Sequence, residues 1–134
     1  MTYQKSKFII LWIFVGSLIC CIVLLFLAKF REILFDDSFI SLIEKTLAIY
    51  SVHLSVILAT GFIDNEKNSN IVHNPLFVTS VVLSLVWNII IIVRIALFVF
   101  GKDDVPLVLN FLDNVPGNSS FIVTGVIAYF FSKG

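Results

Sequence analysis

The chain has 134 residues, of which 59% are hydrophobic and only 13% are charged. An ordinary soluble domain contains about 25% charged residues, so this composition predicts an integral membrane protein with no soluble domain. The nine basic and nine acidic residues give a formal net charge of zero. This balance argues against direct nucleic-acid binding, which needs a strongly basic surface.

Three long apolar segments, at residues 8–28, 39–63 and 76–100, are predicted to be transmembrane helices. Each has the roughly 20 residues that a helix needs to cross about 30 Å of hydrocarbon. Lys5 and Lys7 precede the first segment, as basic residues do in a signal peptide, but its apolar stretch is longer than the about 7–15 residues of a secretory core. We therefore expect the first segment to be a retained span.

The C-terminal part of the chain is predicted to contain two further elements. Residues 105–114 have an amphipathic pattern, which predicts a short interfacial helix that ends at Pro116 and Gly117. Residues 118–133 form a short apolar segment, which we predict to be a fourth span, with a re-entrant segment as the alternative. The predicted fold is thus an all-α integral membrane protein, a single polytopic domain of four transmembrane helices in a small bundle.

The basic residues near the ends of the spans predict the orientation. Lys5 and Lys7 precede the first helix, which usually dominates, so we expect both termini to be cytoplasmic in a plasma or inner membrane. The opposite side carries Lys29, Arg31 and Lys102. Because the bias between the two sides is small, a dual topology is the alternative.

Two charged residues inside the predicted spans, Glu44 and Arg94, are candidate functional residues because ionisable groups are rare at membrane depth. Counted inward from the same membrane face, both are about 9 Å deep. Antiparallel packing of the second and third helices would place them level, which predicts an intramembrane ion pair. The alternative is a proton or cation site at Glu44.

The same antiparallel register aligns small polar residues of the second and third helices. Small residues permit close approach of two helices, and their hydroxyl and amide groups form hydrogen bonds across the contact. We therefore predict an interhelical polar stripe, which contains Ser51, Ser55, Ser80, Ser84 and Asn88.

The second predicted helix has another polar side, which contains Thr46, Tyr50, His53 and Thr60. Since the first helix offers few polar groups to meet them, we predict that these four residues line a path shared between subunits. A neutral imidazole in hydrocarbon needs hydrogen-bond partners, which water or neighbouring copies would supply. The alternative for His53 is an ordinary packed histidine between helices.

The sequence contains no metalloprotease, serine-hydrolase or phosphate-loop motif. We therefore expect a protein that is not an enzyme and has no cofactor or metal site. The size and the number of spans resemble those of the small multidrug-resistance transporters, but the first span here has no acidic residue. No family is assigned on this basis.

A bundle of four helices is too thin to enclose a wide aqueous path, whereas several copies of the chain around a common axis can enclose one. The sequence therefore predicts a lipid-embedded homo-oligomer, most simply a tetramer, that forms or gates an ion-conducting pore. Because the chain has no sensor of its own, we expect a soluble cytosolic partner, as in two-component antiviral defence systems; this expectation rests on analogy. The alternatives are a membrane scaffold that recruits a cytosolic partner and a small proton-coupled transporter that uses Glu44.

Overall fold

The computed structural model describes residues 3–61, 74–101 and 103–132, and all regular secondary structure in these ranges is helical. The predicted all-α class is confirmed for this part of the chain. Three of the helices, α1, α2 and α3, are long and apolar enough to cross a membrane. In chain order the helices are α1 (Tyr3–Phe30), α2 (Asp36–Gly61), α3 (Asn74–Val99) and α4 (Val105–Ser132).

The first three helices extend beyond the predicted spans at their N-terminal ends, because polar residues that end an apolar segment can still continue a helix. Asp36 and Asp37 form the first turn of α2, where carboxylates stabilise the positive end of the helix dipole. The predicted ends at residues 63 and 133 lie outside the described residues.

Short connections join α1 to α2 and α3 to α4. Gly101 has a φ of 76° in the second connection, a conformation that glycine adopts without steric cost. Asp104 then caps α4, since its Oδ1 accepts a hydrogen bond of 3.0 Å from the backbone N–H of Leu107. Pro106 occupies the first turn of α4, where its missing N–H costs nothing.

The predicted break at Pro116 and Gly117 is wrong, because α4 is one continuous helix of 28 residues with Pro116 inside it. A proline in a helix removes one hydrogen-bond donor and favours a kink, but it does not need to end the helix. Buried residues occur along the whole of α4, from Val108 to Phe131. Packing on both sides of Pro116 therefore holds the two halves together.

The helices form a four-cornered bundle in which α1 packs against α2 and α3, and α4 also packs against α2 and α3. Helices α2 and α3 consequently occupy opposite corners. The predicted side-by-side hairpin of these two helices is wrong, although their largest side chains meet in the centre of the bundle. Since α2 and α4 both begin at the same end, these two neighbours run parallel.

The end of the bundle that contains both short connections is called the turn end below. Salt bridges between Lys29 and Asp36 and between Arg94 and Asp103 lie here. Three phenylalanines at this end are largely exposed: Phe30 at 82%, Phe35 at 85% and Phe100 at 65%. Exposed rings of this size are favourable at a membrane interface and costly in water, so the turn end is expected to lie close to the headgroup layer.

Candidate functional site

The centre of the bundle contains a cluster of large rings from three helices. His53 and Trp87 meet edge to face, with ring centroids 4.4 Å apart and an interplanar angle of 78°. Phe14 lies 5.2 Å from the His53 ring and 5.9 Å from the Trp87 ring. Tyr50 completes the group at 5.6 Å from Trp87. We call Phe14, Tyr50, His53 and Trp87 the core cluster.

Hydrogen bonds connect the core cluster to α4. Thr124 Oγ1 and His53 Nδ1 lie 2.9 Å apart, and the indole N–H of Trp87 donates to Ser119 Oγ at 3.2 Å. A third contact, to α1, joins the Tyr50 hydroxyl to the Cys21 sulfur at 3.8 Å. All four helices therefore contribute to one aromatic and polar core.

The residues predicted to line a pore lie mainly inside the bundle of a single chain. Thr46, Tyr50 and His53 are fully buried, whereas Thr60 is half-buried. The hydroxyls of Thr46 and Thr60 donate to backbone carbonyls one turn earlier in α2, at 2.7 and 2.6 Å. This side of α2 thus faces α1, α3 and α4 rather than the surroundings of the bundle.

The predicted polar stripe is divided between the inside and the outside of the bundle. Ser80, Ser84 and Asn88 are buried on α3, and the Asn88 amide donates to the Ser84 carbonyl at 2.7 Å. Ser51 and Ser55 are exposed on α2. The structure does not bring the two sets together, because α2 and α3 are not neighbours.

The predicted ion pair between Glu44 and Arg94 is not formed. Arg94 instead pairs with Asp103, with its Nη1 at 2.9 Å from the carboxylate oxygen, and its guanidinium lies 5.6 Å from the ring centroid of Phe111. Glu44 is exposed on the outer side of α2. Glu44 and Arg94 do not meet because their helices, α2 and α3, occupy opposite corners of the bundle.

The outward surface of α2 and α4 is rich in polar and small residues. At 100° per residue, Glu44, Ser51 and Ser55 fall within a narrow arc of α2 that points away from its buried side. Asparagines recur every fourth residue on the outer side of α4. We call this surface the polar face; large apolar side chains such as Leu47, Leu58 and Phe121 are also exposed on these helices. The exposed polar and small residues that define the polar face are Glu44, Ala48, Ser51, Ser55, Asn110, Asp113, Asn114, Gly117 and Asn118.

A groove of about 280 Å³ runs between α2 and α4 beside the polar face. Small side chains of both helices, among them Ala48, Gly117 and Ser120, line the groove. A salt bridge between Lys45 and Asp113 lies in the same groove, and the two side chains are 33% and 53% exposed. The groove between α2 and α4 therefore contains two partly exposed, oppositely charged side chains whose charges cancel.

Sequence reasoning missed the contribution of α4 to this surface. Asn110, Asn114 and Asn118 are spaced by four residues, but a predicted break at Pro116 separated the last of them from the other two. Continuing the helical period through Pro116 places all three in one row. The row is partly satisfied within α4, since the Asn114 amide donates to the Asn110 carbonyl at 2.8 Å.

The opposite outward surface, formed by α1 and α3, is apolar. Between residues 80 and 98 of α3, every exposed side chain is valine, leucine or isoleucine. The largest exposed side chains of α1 include Trp12, Ile19 and Val23. We call this surface the apolar face, and its composition is the one expected for contact with lipid tails.

Comparisons with known proteins add no assignment: the chain matches no family model, no curated protein and no solved structure.

Proposed function

We propose that copies of this chain assemble in a membrane with their polar faces around a shared aqueous path, and that the assembly forms or gates an ion-conducting pore. The proposal rests on the difference between the exposed residues of the polar face and those of the apolar face of one bundle. A monomer surrounded by lipid would need an apolar surface on every side. The polar face instead matches a surface that contacts water and neighbouring copies.

The depth of the polar residues supports this proposal. Ser55 lies 19 residues after the start of α2, or about 28 Å along a helix that is about 39 Å long. Ser51 lies about 6 Å closer to the turn end. Hydrocarbon about 30 Å thick would cover both positions. The Ser51 hydroxyl donates to the Ala48 carbonyl of its own helix, but no hydrogen bond of this kind can satisfy the exposed Glu44 carboxylate. Polar groups without partners in hydrocarbon cost several kcal/mol each, so water or protein is the favourable neighbour for this face.

The packing within one chain supports a path between chains. Phe14, Tyr50, His53 and Trp87 fill the centre of the bundle with rings in contact, which leaves the outer surface for conduction. We therefore assign the lining to the polar face rather than to Thr46, Tyr50 and His53. A tetramer, both termini in the cytoplasm of the cell, and a soluble partner such as that of an antiviral defence system remain parts of this proposal.

The first test measures water access in a variant whose Cys20 and Cys21 are replaced by alanine. Single cysteines at Ser51, Ser55 or Asn118 are expected to react with a membrane-impermeant thiol reagent in vesicles. Matched cysteines at Val82 and Ile89, both exposed on the apolar face, are expected to stay unlabelled. Equal labelling of the two faces would contradict the proposed lining.

The same variants test conduction. Purified protein in planar bilayers is expected to give discrete current steps, and thiol labelling at Ser55→Cys is expected to reduce them. A protein that gives no current but co-purifies with a soluble partner would instead support the scaffold function. Proton-coupled uptake that is lost in Glu44→Gln would support the transporter function.

A further inference from the structure

We infer that the path conducts cations and that the carboxylate of Glu44 is the group that selects them. This inference rests on the proposed function, since it specifies which ions the polar face admits. Its basis is the charge distribution on the polar face of a single chain. It adds a ligand class, a small hydrated cation, to a surface whose other exposed polar groups at membrane depth are neutral or paired.

Four formally charged side chains lie on or beside the polar face: Asp37, Glu44, Lys45 and Asp113. Lys45 and Asp113 neutralise each other in a salt bridge. Glu44 is exposed and has no salt bridge to any described residue. Asp37 is likewise exposed and belongs to none of the salt bridges of the described residues. Each copy therefore contributes two uncompensated negative charges, of which Glu44 is the deeper one.

The position of Glu44 makes this charge effective. It lies eight residues after the start of α2, which is about 12 Å along the helix. In copies with the same orientation around a common axis, the Glu44 carboxylates lie at one depth and form a ring. Rings of aspartate or glutamate are a general device for cation selection, whereas lysine or arginine rings admit anions.

The residues on either side of Glu44 fit a cation path that begins at the turn end. Asp37 lies seven residues before Glu44 and Ser51 lies seven residues after it, so all three fall on nearly the same side of α2. Asp37 and Ser51 are both exposed. A cation would meet one carboxylate near the headgroup layer, a second carboxylate deeper, and then hydroxyl oxygens, which are ligands suited to hard cations.

The test measures reversal potentials in planar bilayers with a gradient of potassium chloride. The unaltered protein is expected to pass K⁺ in preference to Cl⁻. Glu44→Gln is expected to lower the ratio of K⁺ to Cl⁻ permeability about tenfold, a change typical of one unit charge close to a conduction path. Glu44→Asp keeps the charge and is expected to keep most of the preference.

Two variants of the neutral pair give effects of opposite sign. Asp113→Asn leaves the Lys45 ammonium uncompensated and is expected to shift the preference towards Cl⁻. Lys45→Met leaves the Asp113 carboxylate uncompensated and is expected to strengthen the preference for K⁺. Glu32→Gln is the matched control, since it removes an exposed carboxylate of the connection between α1 and α2 and is expected to change the ratio less than twofold.

The outcomes separate this inference from the proposed function. Channels that prefer Cl⁻, or a K⁺ preference that Glu44→Gln leaves unchanged, would overturn the role of Glu44 while the pore itself stands. Absence of current for the unaltered protein and for every variant would overturn the pore, and with it the cation path. Glu44 is exposed and belongs to none of the salt bridges of the described residues. The Glu44→Gln variant is therefore expected to elute as an assembly of unchanged size.

Discussion

The polar face and the apolar face are built from helices of nearly equal length, yet they need different surroundings. On α3 the exposed positions from residue 80 to 98 are uniformly aliphatic, whereas α2 exposes Glu44, Ser51 and Ser55 over a similar depth. Ser80, Ser84 and Asn88 of α3 are instead buried in the bundle. The fold thus buries these polar groups on the helix with the aliphatic outer side and leaves those of α2 exposed, a difference that the proposed assembly explains.

The largest predicted effect compares two valines with nearly equal exposure, Val52 at 50% and Val86 at 51%. Val52 lines the groove beside the polar face, and Val86 lies on the apolar face. Val86→Asp is expected to cost about 3 kcal/mol, as for a charge near the centre of a transmembrane helix. Val52→Asp is expected to cost less than about 1 kcal/mol, because the proposed assembly surrounds this face with water or protein.

The measurement for this pair is the fraction of protein that elutes as a folded, monodisperse species after extraction from the membrane. Val52→Ala and Val86→Ala serve as size controls without charge. Similar losses for the two aspartate variants would show that both faces meet lipid, and the contrast between the faces would then have no functional meaning.

A second prediction compares charged residues of α3 and α2. Arg94→Gln leaves the half-buried Asp103 without its salt-bridge partner, so we expect a loss of about 2 kcal/mol in stability. Glu44→Gln, on the polar face, is expected to change stability by less than about 0.5 kcal/mol. Thermal unfolding in detergent measures both effects, and a loss for Glu44→Gln as large as that for Arg94→Gln would contradict the exposed, unpaired position of Glu44.

The smallest predicted effect concerns one of the hydrogen bonds between α2 and α4. Thr124→Val removes the partner of His53 Nδ1, and we expect a loss of about 1 kcal/mol, within the range for interhelical hydrogen bonds in membranes. Ser51→Val is the control, because its hydroxyl bonds only to the Ala48 carbonyl of its own helix. A double-mutant cycle with His53→Leu measures the coupling, and additive losses would mean that the contact contributes no stability.

The sequence was sufficient to predict α1, α2 and α3, because their apolar segments exceed the length of a bilayer crossing and no other structure satisfies the backbone there. The sequence could not decide which polar side of α2 faces inward. His53 and Ser55 lie on nearly opposite sides of the helix, and each side carries several polar residues. Which side of α2 faces inward depends on the shape of the side chains, since the rings of Tyr50 and His53 fill the space beside Phe14 and Trp87.

The position of Arg94 illustrates a second limit of sequence reasoning. A register between consecutive helices assumes that they are neighbours, which is the commonest arrangement. Here α3 follows α2 in the chain but packs against α1 and α4. The partner of Arg94 is therefore Asp103, nine residues along the chain, which a short-range pairing argument could have found.

Pro116 divides α4 into two parts that form polar contacts with different regions of the bundle. The part before it carries Asp113, which is bonded to Lys45, and the part after it carries Ser119 and Thr124, which are bonded to the core cluster. A proline lacks the donor that would join adjacent turns at this point, so one backbone hydrogen bond is missing within the length of α4 that lines the groove. A bend at Pro116 would therefore change the width of the groove, and the buried residues on both sides of it oppose such a bend.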